Sequence, residues 1–353
     1  MLATLFSFTP NTISTPLSGL LRVNMPKRYD RPWTVCLSLL LCATTLAAQT
    51  DAPLNHYFTA TTAYNPAAVG MKSEIALTAL YRLQWLGMDQ GAPRTLFAGA
   101  DMPLRFRGTH NGVGLIVIND EQSTLYKNMS AALQAAHKRR LGKGTLSIGL
   151  QAGMINNTFQ GSKAHPVPQD TEGSTDHSQD DDAIPREDLT AKSLDLALGL
   201  IYYTDQYYLG IASTHLTAPT LQLSDQFGRK VMREYNLMAA YNITLHNPLV
   251  ELRPSLMLRS DLHTSVGDVT LRAVYKKMFN GGLGLRITDS GTTNGILYLG
   301  ADIAGFRVSY AYEYPFSTLS RTTFGSHEAI VTYSVKLVKP KEGRNRHKSI
   351  RIL

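Results

Sequence analysis

Ser326, His327 and Glu328 stand side by side and carry the residue types of a nucleophile, a base and an orienting acid. Acyl transfer would need all three groups on one side of the backbone, within hydrogen-bond reach of each other. On an extended chain, neighbouring side chains point to opposite faces, so His327 and Glu328 diverge unless the backbone kinks. The triplet reads as a turn entering a strand. A second cluster holds Asp170, Glu172, Asp176, Asp180, Asp181, Asp182, Glu187 and Asp188, the oxygen donors a calcium loop would use. Gly173, however, is the fourth residue counted from Asp170, whereas an EF-hand loop needs glycine at the sixth. A solvated acidic loop is the simpler reading. There is no Gly-rich phosphate loop, no HExxH, no paired-cysteine metal site and no GxSxG elbow. The residues call for no metal and no cofactor, and an enzyme is not expected.

The N-terminus reads as an export signal. Met25 to Trp33 is a basic stretch, Thr34 to Leu46 is apolar and of signal-peptide length, and Ala47-Ala48 supplies the small residues a signal peptidase needs. Residues 1–48 are therefore assigned to an N-terminal extension plus a cleaved signal, with translation starting at Met25. Both cysteines, Cys36 and Cys42, fall inside it. The mature chain thus has neither disulfides nor a catalytic thiol. The formal charge of +8 is unevenly placed. The leader carries Arg22, Lys27, Arg28 and Arg31 against Asp30. The tail carries Lys339, Lys341, Arg344, Arg346, Lys348 and Arg351 against Glu342. What lies between is balanced, so the basic character does not describe a nucleic-acid surface.

Elements able to position side chains begin at Lys72. From there the chain alternates with period two, as strands with two different faces do. Val331, Tyr333, Val335 and Leu337 alternate with Thr332, Ser334 and Lys336; Val269, Leu271, Ala273 and Tyr275 alternate with Asp268, Thr270 and Arg272. Leu252, Pro254, Leu256 and Leu258 alternate likewise with Arg253, Ser255, Met257 and Arg259. Charges inside such runs suit a barrel with lipid outside and a polar lumen. Fourteen segments are expected, starting near residues 74, 94, 112, 124, 144, 193, 206, 233, 250, 267, 279, 294, 304 and 328. Alternate connections are mostly short, while the long ones (156–192, 214–233 and 313–327) all fall in the other series. That asymmetry predicts an all-β fold, a transmembrane antiparallel barrel with short periplasmic turns and longer extracellular loops. The expected organisation is a periplasmic segment over 49–71, a barrel over 72–337 with an acidic extracellular loop at about 156–192, and a basic periplasmic tail over 338–353.

Several motifs add a family resemblance. Tyr64-Asn65-Pro66-Ala67 precedes the first strand, then comes Tyr81-Arg82-Leu83-Gln84-Trp85, followed by Ala92-Pro93-Arg94-Thr95. Pro254-Ser255, Val274-Tyr275-Lys276, the Tyr310/Tyr312/Tyr314 ladder and Phe324-Gly325-Ser326-His327-Glu328 follow in order. Together they resemble the PorP/SprF family, outer-membrane proteins of the type IX secretion and gliding machinery of Bacteroidetes. The resemblance covers roughly residues 50–337; the long acidic insert and the extended basic tail depart from the usual pattern. It implies a barrel that works through partners: periplasmic ring or motor proteins, a peptidoglycan-binding lipoprotein, and in some members a secreted surface adhesin. It implies no cofactor.

The motif residues also have a physical reading. Asn65-Pro66 is a turn signal. Tyr81, Trp85, Tyr310, Tyr312 and Tyr314 suit interfacial girdles, apolar at the ring and wet at the polar tip. Arg82 and Gln84 alternate with Tyr81 and Leu83 and so face the lumen, placed to hold loops or a plug or to pair with acids such as Asp268 or Glu313. Lys339, Lys341, Arg344, Arg346 and Lys348 are candidate contacts to a periplasmic component. A secretion or motility anchor is the leading function. A transport barrel for hydrophobic or small polar solutes is the alternative, and an outer-membrane hydrolase a distant third. Mass spectrometry of the purified protein should place the mature N-terminus at Gln49; a chain retaining residues 25–48 would refute the leader reading.

Overall fold

The computed structural model describes residues 51–72, 74–88, 91–106, 109–163, 187–224, 228–289 and 291–336. The leader, the middle of the acidic segment and the tail from residue 337, with Lys339, Lys341, Arg344, Arg346 and Lys348, lie outside the described residues.

The strands of the barrel are β1 (Glu74–Leu83), β2 (Arg94–Phe106), β3 (Thr109–Glu121), β4 (Tyr126–Leu141), β5 (Gly144–Gln160), β6 (Asp188–Tyr203) and β7 (Tyr207–Thr214). After a long connection they continue as β8 (Glu234–Tyr241), β9 (Val250–Ser260), β10 (Ser265–Tyr275), β11 (Phe279–Thr288), β12 (Thr293–Ile303), β13 (Phe306–Pro315) and β14 (Ser326–Lys336). Each pairs antiparallel with the next, β8 meets β9, and β1 pairs with β14 from Glu74↔Lys336 to Leu83↔His327. The sheet is a closed 14-strand barrel. Closure leaves no unpaired edge, which is the condition for a sheet to cross a bilayer. Among the described residues no helix is long and apolar enough to do so.

Side-chain direction follows the alternation read from the sequence. Leu133, Leu150 and Leu283 point outward and are 67%, 61% and 67% exposed, in rows that water would not tolerate but lipid does. Arg82, Gln134, Arg259, Asp268, Thr270, Arg286, Glu313 and Glu328 point inward and are buried. The β12–β13 turn is tight, with positive φ at both Ala304 and Gly305, as a two-residue turn matching the strand twist requires.

Two expected boundaries change. The loop expected over 156–192 is narrower, because Asn156↔Lys192 through Gln160↔Asp188 form ladder pairs of β5 and β6. Here the outward residues Asn156, Thr158 and Gln160 are polar, which suits a wall that stands in water rather than in lipid. The inward Phe159 and Ala191 pack on Leu221 and Leu223, around the small hairpin Thr220–Gln222/Gly228–Lys230. The second change is larger. Residues 51–71, expected as a separate periplasmic segment ahead of the barrel, fold back inside it.

The seam between β1 and β14 is testable. Thr78 and Thr332 are direct partners and their hydroxyls lie 3.1 Å apart. The pair Thr78→Cys and Thr332→Cys should form a disulfide in the oxidised protein, read as loss of free thiol and resistance of the barrel to opening in heated detergent. Persistently free thiols would contradict this closure.

Candidate functional site, a plug held in the lumen

The plug starts near the long-loop end. The Asp51 carboxylate lies 2.9 Å from Nε2 of His215, whose Nδ1 is 3.1 Å from Asp195 of β6. Burial opposes the charge on His215, but Asp51 and Asp195 outweigh it and raise its pKa well above the usual histidine value. Arg259 donates to the Asp51 carbonyl at 3.2 Å.

The chain then meets the centre of the lumen. The backbone N–H groups of Asn55 and His56 each donate to Glu328 at 2.7 Å. The His56 ring bridges Glu328 at 2.7 Å and the Ser309 hydroxyl at 2.9 Å. Tyr298 donates to the Asn55 carbonyl at 3.2 Å, and Arg286 to that of Leu54 at 3.3 Å. Tyr57 reaches Ser255 and Thr270, while the Arg272 guanidinium lies 3.4 Å from the centre of the Phe58 ring.

Beyond Ala60 the plug forms two short 3-10 turns, Thr61–Ala63 and Pro66–Ala68. Asn65 caps the second, accepting from the Ala67 N–H at 2.9 Å, and Pro66 suits the first position because its missing N–H would be unpaired there. The same Asn65 side chain donates to the Ile211 carbonyl of β7 at 3.0 Å. Carbonyls of Thr62, Ala67 and Val69 accept from Gln134, Ser147 and Lys138 at 2.8, 2.7 and 2.7 Å. Gly70 donates to Asp101 at 2.8 Å, and the chain leaves at the short-turn end into β1. The wall makes room for this with Gly149 of β5 and Gly199 of β6. A Cβ at Gly149 would collide with Pro66 and Ala67, and one at Gly199 with Asn65. Glycine inside a strand often marks such close backbone approach.

The wall groups form one ionic network. Arg82 donates to Glu313 at 2.7 Å and to Glu328 at 3.2 Å. Arg286 pairs with its cross-strand partner Asp268 at 2.6 Å and with Glu313 at 3.1 Å, and Asn294 adds 2.6 Å to Glu313. Three carboxylates thus face two guanidiniums. The excess negative charge is met by the donors of Asn55 and His56, so plug and wall complete each other.

The sequence-selected residues divide by face. Arg82, Glu328, Ser326, Asn65 and Pro66 are buried. Tyr81, Tyr310 and Tyr314 face outward, and Tyr312 shares their row. His327 also turns outward and contacts the Tyr310 hydroxyl at 2.6 Å, opposite in direction to Glu328. Gln84 donates through its backbone to Pro93, and Trp85, at φ 54, donates to the Ser326 hydroxyl at 3.2 Å. Gly325, at φ 81, lets its carbonyl accept from Leu86. Arg82 pairs with Glu313 and Glu328, whereas Asp268 belongs to Arg286. The plug contacts of His56, Tyr57 and Gln134 were not expected; the signal for His56 and Tyr57 was a polar, aromatic-rich stretch next to the Asn-Pro turn, and for Gln134 of β4 it was an amide in an inward-facing row. Among the described residues no group of His, Cys, Asp and Glu is arranged to hold a metal ion.

Glu328→Ala should remove the anchor of Asn55 and His56 and leave Arg82 half-paired. Breaking a buried network from one side costs about 3–5 kcal/mol. The thermal midpoint should fall and proteolysis within 51–71 should accelerate, whereas His327→Ala on the outer face should leave both nearly unchanged. Equal behaviour of the two variants would count against the anchor.

Residues 46–333 match the family model described as type IX secretion system membrane protein PorP/SprF. No curated protein matches the chain. Solved structures that resemble it include the Ralstonia pickettii toluene transporter TbuX, at 11% identity and a TM-score of 0.47 over 78% of this chain and 93% of that one. A Pseudomonas aeruginosa FadL homologue gives 11% and 0.43 over 76% and 91%. A mutant Rh. blastica porin gives 9% and 0.33 over 74% and 99%. At these values the likeness concerns the fold and goes no further.

Proposed function

The chain belongs to the PorP/SprF family of type IX secretion system membrane proteins, and on that premise we propose that it is an anchor or docking platform at the outer membrane. Its barrel holds position and presents surfaces, while its lumen stays closed. Periplasmic ring or motor proteins and a peptidoglycan-binding lipoprotein are the partners on one side, and a secreted surface adhesin on the other. The observation that carries this reading is the plug. Residues 51–71 are bonded to strands around most of the barrel's circumference, and their polar groups are matched to named wall residues. A passage for solutes, the alternative reading, would require these contacts to break in each transport event.

A locked plug separates the two. The Ser147 hydroxyl lies 2.7 Å from the Ala67 carbonyl, so cysteines at these two neighbouring positions, joined through a short crosslinker with a disulfide at its centre, tether plug to wall. In a strain lacking the native copy, the locked variant should restore type IX secretion as fully as the wild type. Secretion that returns only after the disulfide is reduced would favour the conduit instead. Normal secretion in the uncomplemented strain would remove the secretion role itself.

A further inference from the structure

The short-turn end of the barrel carries a charge pattern that the plugged lumen does not use. Arg105, Arg140, Lys143, Lys276, Lys277 and Lys336 are exposed there, and among the described residues Asp205 is the exposed acid at the same end. The ion pairs at this rim, Arg253 with Glu251 at 2.7 Å and Arg307 with Asp302 at 3.1 Å, involve none of those six. Between leader and tail the chain is balanced in charge, so the excess is local. Most of it lies on one arc. Lys336 ends β14, Arg105 nearly ends β2, and Arg140 and Lys143 flank the β4–β5 turn; β14, β1, β2, β3, β4 and β5 are consecutive neighbours in the ring.

The direction of these side chains narrows the partner. Arg105 shares the row of Thr95 and Phe97, Arg140 that of Gln134 and Lys138, and Lys336 that of Glu328 and Thr332, all inward-facing rows. At the same level the outward row presents Leu104, Leu141, Tyr275, Phe279 and Phe306, each exposed and apolar or aromatic. Lipid at the circumference therefore meets mostly rings and aliphatic chains, with Arg139 an exposed cation of the outward row, while Arg105, Arg140 and Lys336 border the mouth and face the periplasm. We propose that this arc is the docking surface for an acidic face of a periplasmic protein, seated under the plugged mouth. The proposal rests on the docking role above and adds the charge and site of the contact. Exposed pairs of this kind are individually weak and screened beyond about 8 Å at physiological salt. Together they steer and orient an acidic partner.

The test uses the purified full-length protein in neutral detergent and a fluorescent oligoglutamate peptide. A rim variant combines Arg105→Glu, Arg140→Glu and Lys143→Glu. A control with the same charge change carries Arg94→Glu, Lys192→Glu and Lys230→Glu, exposed residues at the long-loop end. Heat-modifiable gel migration confirms that each variant is folded. The wild type should bind with an affinity that falls steeply as salt rises; the rim variant should lose roughly tenfold or more, and the control little. Equal losses would show a response to net charge alone and overturn the proposal, as would unchanged binding by the rim variant. Short-chain phosphatidylglycerol gives the second arm: a rim-dependent interaction with this lipid but not with the peptide would assign the arc to phospholipid instead. None of these readings depends on secretion, so failure here and failure of the secretion role remain distinguishable.

Discussion

A buried carboxylate is tolerated only when its charge and its lone pairs are all met. Glu328 satisfies that condition by holding two separate parts of the chain at once. On the wall it sits directly opposite Arg82 across the seam where β14 closes on β1. In the lumen it accepts the N–H groups of Asn55 and His56 and the ring of His56. Closure of the sheet and seating of the plug are therefore conditions for each other. With an open seam, Glu328 would have no guanidinium; with an absent plug, it would face the lumen with most of its donors missing.

The same logic extends outward through Glu313, which links Arg82 to Arg286 and so joins β1, β13 and β11. Such networks are weak evidence for stability when compared with an apolar core of equal volume, because desolvation offsets much of the attraction. Their effect here is on specificity. An apolar lumen would accept any hydrophobic segment, whereas this one accepts a segment presenting two backbone donors and a histidine to one carboxylate. A plug shifted by one residue would exchange those donors for others and leave charge unmet.

The barrel was legible because its period-two pattern is imposed by the bilayer: outward positions must be apolar, inward ones need not be. The expected starts at 74, 94, 144, 250 and 279 coincide with the observed strands. Legibility failed where that constraint ends. At Asn156–Gln160 and Asp188–Lys192 the wall leaves the membrane and the polar row is outside, so the pattern looks like loop. The plug was illegible for a related reason. Its ten polar and aromatic side chains answer to partners scattered over the barrel rather than to a period of their own, and no local rule reveals them. Arg82 was placed in the lumen by parity alone, but its pairing with Glu328, its neighbour across a distance of 246 positions, follows only from closure. Gly149 and Gly199 carried a usable signal, since glycine within a strand often marks a close neighbour. What approaches was not written beside them.

Sequence distance also orders assembly. Asn55 and His56 are 273 and 272 positions from Glu328, so their contacts come from the two extremes of the described chain. Fixing each backbone residue costs about 1–2 kcal/mol, so ordering the plug is expensive until its partners exist. Those partners lie on strands from β2 to β14, and the carboxylate that takes the backbone donors of Asn55 and His56 is on the last. Before β14 pairs with β1, the plug has only part of its hydrogen bonds and no closed lumen to exclude water from them. Long-range contacts of this kind reward the chain only after the loop has closed. The stable order is therefore ring first and plug last, or both together, and a barrel arrested before closure would expose a segment that the finished protein buries. The same dependence resists later opening: releasing the first turn at Asp51 and His215 costs few contacts, whereas releasing Asn55 and His56 would undo the network that also holds the seam.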